Sequence, residues 1–437
     1  MVLFKNFRNI FMIPELTKKI IFTLGVIIVY RLGTFIPVIG INIPLLEKYM
    51  KQAGGIGGLL SYLDTFSGGA LDSCTIFALG IGPYITASIM MQMLSMAVPT
   101  LEQLAKEGDY GRRMINQYTR YLAIVLSIGY SLGYATYLEH ANLVLTPGIA
   151  FKMLFVLSLT AGSVFVMWLG EQISLMGIGN GSSLIIFAGI VSRFPHYIAQ
   201  TVHWVNIGNT SAIVAFAMLA LFIVLAGCIV FLEKGSRKIP IQYTRRIIGQ
   251  RVYGGQSTYI PFKINTAGVM PAILSSSVLY IPLFVAGLLA DRYSFFRSFT
   301  EVLHVNGPIY NVLMFALIVF FTFLYTAVMV NVVELAENLK KNGGFVPGIR
   351  PGKQTSDYFD FILTRIAFVG ALYLGFLSIV PNIFTSAFRM PFYLTGTSLL
   401  IVVGVALETA AQIEAYLIEH KYEGFLATGR IKSRIQR

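Results

Sequence analysis

The sequence predicts an all-α membrane protein with ten transmembrane helices. Three observations lead there: only 12% of the 437 residues are charged, the mean hydropathy is +0.71, and ten apolar runs reach the ~20 residues that a helix needs to cross roughly 30 Å of hydrocarbon. Apolar residues and glycine together make up roughly 60% of the chain, against about 45–50% in soluble domains. Such a chain cannot cover itself with a water-compatible surface, which excludes a cytosolic enzyme, a disordered tail protein and a secreted disulfide scaffold. Cys74 and Cys228 lie far apart in apolar surroundings and read as packing residues rather than as a disulfide framework.

The runs fall at approximately 20–38, 74–98, 118–138, 149–170, 181–200, 211–232, 266–290, 309–331, 361–381 and 391–411. Lys5, Arg8, Lys18 and Lys19 precede the first run like the n-region of a signal peptide, but Arg31 interrupts the run and no small-residue cleavage site follows. It is read as a retained first helix. An even number of spans puts both termini on one side. That side collects 23 of the 33 Lys and Arg residues and the other side five, and this bias places both termini in the cytoplasm. The spans divide five and five at a turn near Gly208 and Asn209. Two halves of five must have opposite orientations, the arrangement of inverted repeats that share a pathway, although spacing alone does not establish a repeat.

Between the first two runs, Gly54 to Leu71 is too short and too glycine-broken to span, yet too rich in Leu and Phe for an ordinary loop. It suits either an interfacial helix or a short re-entrant one, which is tolerated at membrane depth only where it is buried in protein or lines an aqueous cavity. The loop 233–265 carries Lys234, Arg237, Lys238, Arg245, Arg246, Arg251 and Lys263 against the single acid Glu233. Its alternation at Ile239, Ile241 and Tyr243, followed by Arg251 to Gln256, reads as strand, glycine turn, strand. Such a loop can serve topology and lipid headgroups, or an anionic protein or RNA face. In the loop 332–360 four acids balance four bases, and the run from Asn342 to Lys353 places Arg350 among prolines and glycines, a rigid tip suited to a contact residue.

Enzyme signals fail on context. Gly129 to Gly133 matches G-x-S-x-G but lies inside the third run without a preceding strand, and the five histidines lie in loops or at span ends. Gly177 to Gly181 lacks the strand of a dinucleotide fingerprint, and no phosphate-binding P-loop occurs. No catalytic residue, metal or cofactor is expected. The span centres are nearly free of ionisable residues, since Arg31, Glu171, Glu408 and Glu414 lie toward span ends. This disfavours a transporter of charged solutes.

Taken together, the motifs resemble those of the SecY family, the central subunit of the bacterial-type protein-conducting channel, over nearly the whole chain. Phe66 to Ala70 with Ile76 to Ile81 is similar to the family's plug and second helix, and Gly108 to Arg113 with Gln117 to Tyr121 to its next cytoplasmic loop. Trp168 to Ile173 with the turn Gly177 to Gly181, Arg251 to Tyr253, and Gly348 to Gly352 complete the match in the correct order.

The resemblance implies two inverted halves, 1–208 and 209–437, around an hourglass channel. A ring at Ile81, Ile85, Ser182, Ile186, Ile273 and Ile401 would close it, with a short re-entrant plug helix at about 60–72 that includes Leu60, Leu63, Phe66, Ser67, Gly68 and Gly69. Ile81 with Ile85 and Ser182 with Ile186 are i, i+4 pairs that share a helix face; Ser182 departs from the family's apolar preference, with Leu184 as a neighbour that can fill the gap. The implied lateral gate, between spans two and seven, carries Ser88, Gln92 and Asn265. Arg245, Arg246, Arg251 and Arg350 would dock a SecA-type ATPase or a ribosome, and SecE-like and SecG-like small membrane subunits would clamp the channel. The implied activity is passage of unfolded secretory polypeptides across the cell inner (plasma) membrane and sideways release of transmembrane segments into the lipid bilayer. The alternative is an inverted-repeat secondary transporter of a small solute.

Overall fold

The computed structural model describes residues 13–42, 45–46, 64, 67–208, 211–243, 246–248, 251–253, 257–289, 293–303, 307–388 and 395–428. In chain order these form α1 (Pro14–Gly33), α2 (Gly82–Ala97), α3 (Pro99–Lys106), α4 (Asp109–His140), α5 (Ile149–Met176), α6 (Gly181–Asn206) and α7 (Ala212–Lys234). There follow β1 (Ser236–Tyr243), β2 (Arg246–Ile248), β3 (Arg251–Tyr253), β4 (Ser257–Lys263), α8 (Met270–Leu289), α9 (Ser294–Val302), α10 (Pro308–Met329), α11 (Val332–Lys341), β5 (Gly344–Phe345), α12 (Lys353–Ala387) and α13 (Gly396–Thr428).

Among the described residues seven helices are long and apolar enough to cross a membrane, and an eighth if α2 and α3, bent by 100° at their break, form one span. The two other predicted runs carry α1, whose Lys18, Lys19 and Arg31 dilute its apolar character, and α8. Helix starts follow local chemistry. Prolines open α1, α2, α3 and α10, where the missing N–H is no loss. The Asn180 side chain accepts from the Ser182 backbone N–H at 3.1 Å to start α6. The second predicted run begins too early. Residues 68–81 are turns because Gly68, Gly69, Cys74 and Gly80 take positive φ values of 70°, 98°, 44° and 54°, and Pro83 then fixes the helix start.

The chain folds into two compact units. One comprises Met1–Gln52, Leu60–Phe194 and Val405–Arg437, the other Ala53–Leu59 and Pro195–Gly404; the passage between them inside α6 falls at Pro195, which removes a helix hydrogen bond. In the first unit α4 buries Thr119, Ala123, Ser127, Ser131 and Ala135, a stripe of small side chains at every fourth position that lets neighbouring helices approach closely. This stripe absorbs the G-x-S-x-G match: the Ser131 hydroxyl donates to the Ser127 carbonyl of its own helix at 2.7 Å. Gly162 of α5 lies so close to the Ile76 carbonyl that a Cβ there would overlap it. Glycine is therefore what allows α5 to pack on the turn segment.

In the second unit α10 packs along α12, with α7, α8 and α11 against the same pair. A buried amide pair joins α12 to α10, Asn382 donating to Asn311 Oδ1 at 3.4 Å. The strand reading of 233–265 is seen as an antiparallel ladder, Ser236↔Lys263 through Gln242↔Ser257, with β2 and β3 forming a second small ladder. The sequence reading missed what completes the sheet. β5, from the other large loop, pairs with β1 at Gln242↔Phe345 and Tyr243↔Gly344, so the order is β4-β1-β5. Ile239, Ile241 and Phe262 then share one core with Ala336 and Leu339 of α11, Val346, and Phe359, Ile362 and Leu363 of α12. Pro240 is tolerated in β1 because it lies beyond the two positions that β5 pairs.

Candidate functional site

The segment before α2 is irregular backbone buried inside the first unit. Asp64 is 1% exposed. Its carboxylate accepts from the backbone N–H groups of Leu71 at 2.9 Å and Asp72 at 3.0 Å and from the Ser67 hydroxyl at 3.1 Å, which folds the segment on itself. Four helices hold it. Tyr30 of α1 donates to the Ser67 carbonyl at 3.2 Å and Arg31 to that of Gly68 at 3.0 Å. Tyr134 of α4 donates to the Leu71 carbonyl at 3.0 Å and lies 2.8 Å from Cys74 Sγ. Gly162 of α5 receives Ile76, and Gly189 of α6 receives Gly68, where any Cβ would crowd Arg31 Nη1 and the Gly189 backbone. Backbone of this kind survives among apolar helices only where its polar groups are satisfied within the protein. Leu60, Leu63 and Phe66 lie outside the described residues. Of 60–72, Asp64 and Ser67 are helical and the chain turns from Gly68 onward.

Sequence reasoning missed the charges that anchor this segment. Arg193, midway along the 26-residue α6, forms ion pairs with Asp64 and, at 2.7 Å, with Asp72. A lone arginine within an apolar run was the available signal. A second, more exposed pair joins α4 to α5: Arg120 donates to both carboxylate oxygens of Glu171, at 2.8 and 2.7 Å. That is the pairing expected of an ionisable residue near a span end.

Ile81 and Ile85 lie at the start of α2, Ile81 buried and Ile85 half-buried; Ser182 and Ile186 lie on the first turns of α6, half-buried and buried respectively. Leu184, buried one turn into the helix, packs against Gly179 of the preceding turn. Ile273 on α8 and Ile401 on α13 belong to the second unit and are 8% and 1% exposed. On α2, Ser88 is half-buried and Gln92 exposed. Asn265, 4% exposed, stands before α8 and donates to Glu233 Oε2 at 2.8 Å and to the Gly268 carbonyl at 3.0 Å.

Around the three-stranded sheet, Lys234, Arg237, Lys238 and Lys263 are exposed, with the Lys238 ammonium 4.6 Å over the Tyr259 ring. Arg246 and Arg251 lie in β2 and β3; Arg245 is outside the described residues. Arg350 is exposed on a tip between β5 and α12. Buried Val346 roots this tip in the core, Gly348 and Gly352 turn it at φ 82° and 106°, and Thr355 Oγ1 donates to the Arg350 carbonyl at 2.9 Å. A cation on such a tip projects from a fixed base.

Set beside known proteins, residues 75–410 match the SecY family model. The chain is 44% identical to the protein translocase subunit SecY of Escherichia coli K12, over 96% of this chain and 95% of that one. The fold is similar to that of a solved SecY structure described for its plug domain, which stabilises the closed state of the translocation channel and maintains a membrane seal. The TM-score there is 0.65, with 18% identity and 95% of each chain covered. Sec61 in the canine ribosome-channel complex from the endoplasmic reticulum is similar at a TM-score of 0.61, with 17% identity and 95% of each chain covered. The chain belongs to the SecY family. It is a multi-pass membrane protein and not an enzyme, and the small-solute transporter reading has no support among its relatives.

Proposed function

We propose that this chain is the channel subunit of a protein translocase in the cell inner membrane, with both termini cytoplasmic and with residues 1–208 and 209–437 as its inverted halves. The observation that carries the reading is the irregular segment from Gly68 to Ile81, folded onto buried Asp64 inside a chain related to SecY over 96% of its length. Ile81, Ile85, Ser182, Ile186, Ile273 and Ile401 form the waist. A narrow apolar constriction dewets and stops ions, while flexible isoleucine side chains close around a passing polypeptide without reading its sequence. The segment at about 60–72 is the plug. Ser88, Gln92 and Asn265 mark the lateral gate, through which an apolar substrate segment moves into lipid; Leu or Ile there is favourable, and a central Asp or Lys costs about 2.5–3.5 kcal/mol.

The chain carries no P-loop, so the energy comes from a partner, a SecA-type ATPase or a translating ribosome; the canine Sec61 neighbour is described in a ribosome-channel complex. Its docking surface is the sheet module with Arg245, Arg246, Arg251 and Arg350, and SecE-like and SecG-like subunits clamp the helices. Cysteines placed at 88 and 265 in a background lacking Cys74 and Cys228 provide the test. Crosslinking them is expected to block entry of a secretory precursor into vesicles, with reduction restoring it; full transport with the crosslink complete would contradict the gate.

A further inference from the structure

We infer that Arg193 is a positioning residue, an ionic latch that holds the plug in its closed place by bridging Asp64 and Asp72. The inference rests on the channel reading and goes beyond it by naming what the plug is fastened to. In a chain with only 12% charged residues, three charged side chains meet here, with side-chain exposures of 1% for Asp64, 16% for Arg193 and 33% for Asp72. The two carboxylates flank Ser67 to Leu71, so one guanidinium on α6 ties both ends of that stretch. Within the stretch the docking is done largely by backbone. Gly68 lies against Gly189 and Gly69 against the Arg193 guanidinium, both at positive φ, while Tyr30 and Arg31 hold the carbonyls of Ser67 and Gly68.

This chemistry suits reversible docking. A buried ion pair adds little stability over well-packed apolar side chains, yet removal of one partner leaves an uncompensated charge. The bridge therefore fixes one position firmly. Apolar side chains at 64, 72 and 193 would hold the segment but resist its release into a wet cavity, whereas a carboxylate and a guanidinium that part there are each hydrated. An entering polypeptide that brings water to Arg193 would weaken the bridge by raising the local dielectric.

Resting ion conductance in planar bilayers tests the latch, measured on the chain with its co-purified subunits. The comparison includes wild type, deletion of 60–70, Arg193→Gln, Arg193→Lys and Asp72→Asn; Asp72→Asn alters the most exposed partner and so keeps the test open if Arg193→Gln does not fold. Arg193→Gln and Asp72→Asn are expected to raise the resting conductance about tenfold or more, with Arg193→Lys close to wild type because a cation still faces both carboxylates. A deletion that leaks while folded Arg193→Gln and Asp72→Asn stay sealed would overturn the latch and leave the channel reading standing. A deletion that fails to leak would overturn the plug assignment, and the latch with it.

Discussion

Deletion of residues 60–70 is expected to turn a sealed protein into a leaking one, with resting conductance in planar bilayers rising by an order of magnitude or more. The deletion removes Asp64 and with it the acceptor for Ser67 and for the backbone of Leu71 and Asp72. It also removes the Ser67 and Gly68 carbonyls that Tyr30 and Arg31 hold. On the proposed reading, the isoleucine waist, interrupted by the polar Ser182, would then be left to seal the channel. A hydrophobic constriction gates only while it stays dry, and an unplugged cavity brings water to one face of the ring. A closed-state current unchanged by the deletion would sink the assignment of this segment as a plug.

The second large effect is expected at the docking tip. Arg350→Glu should reduce transport of a secretory precursor by purified channel and motor about 30-fold or more, since truncating one side of a desolvated charge pair costs roughly 2 kcal/mol at least and reversal adds repulsion. The tip's base is independent of that charge. Val346 is rooted in the core, and the bond from Thr355 goes to the Arg350 backbone, so the variant should keep its melting temperature. Resting conductance should also stay at the wild-type level, which separates lost docking from a damaged channel. Unchanged transport would remove Arg350 from the docking surface.

Much of this molecule is legible in sequence because a bilayer imposes a coarse rule: about 20 apolar residues make a crossing. Every predicted run carries a helix, and the alternation of Ile239, Ile241 and Tyr243 gave the first strand of the sheet. The errors have local causes. The second run looked helical from residue 74 because periodicity does not register that Cys74 and Gly80 take positive φ. Contacts distant in sequence were invisible: β5 joins β1 across about a hundred residues, so two loops that read as separate are one folded module. Arg193 meets Asp72 across 121 positions, and counting charges by side of the membrane set that arginine aside as a residue within a span. The ring positions came from the family resemblance, since isoleucine in an apolar run carries no mark of its role.

The most direct test of the account is protease protection in sealed vesicles that hold only this chain, its small partner subunits and an added motor ATPase. A labelled, unfolded secretory polypeptide supplied with ATP is predicted to become protected from external protease, and to become digestible once detergent opens the vesicles. Uptake of a labelled small solute under an ion gradient, with no protected polypeptide under the same conditions, would contradict it.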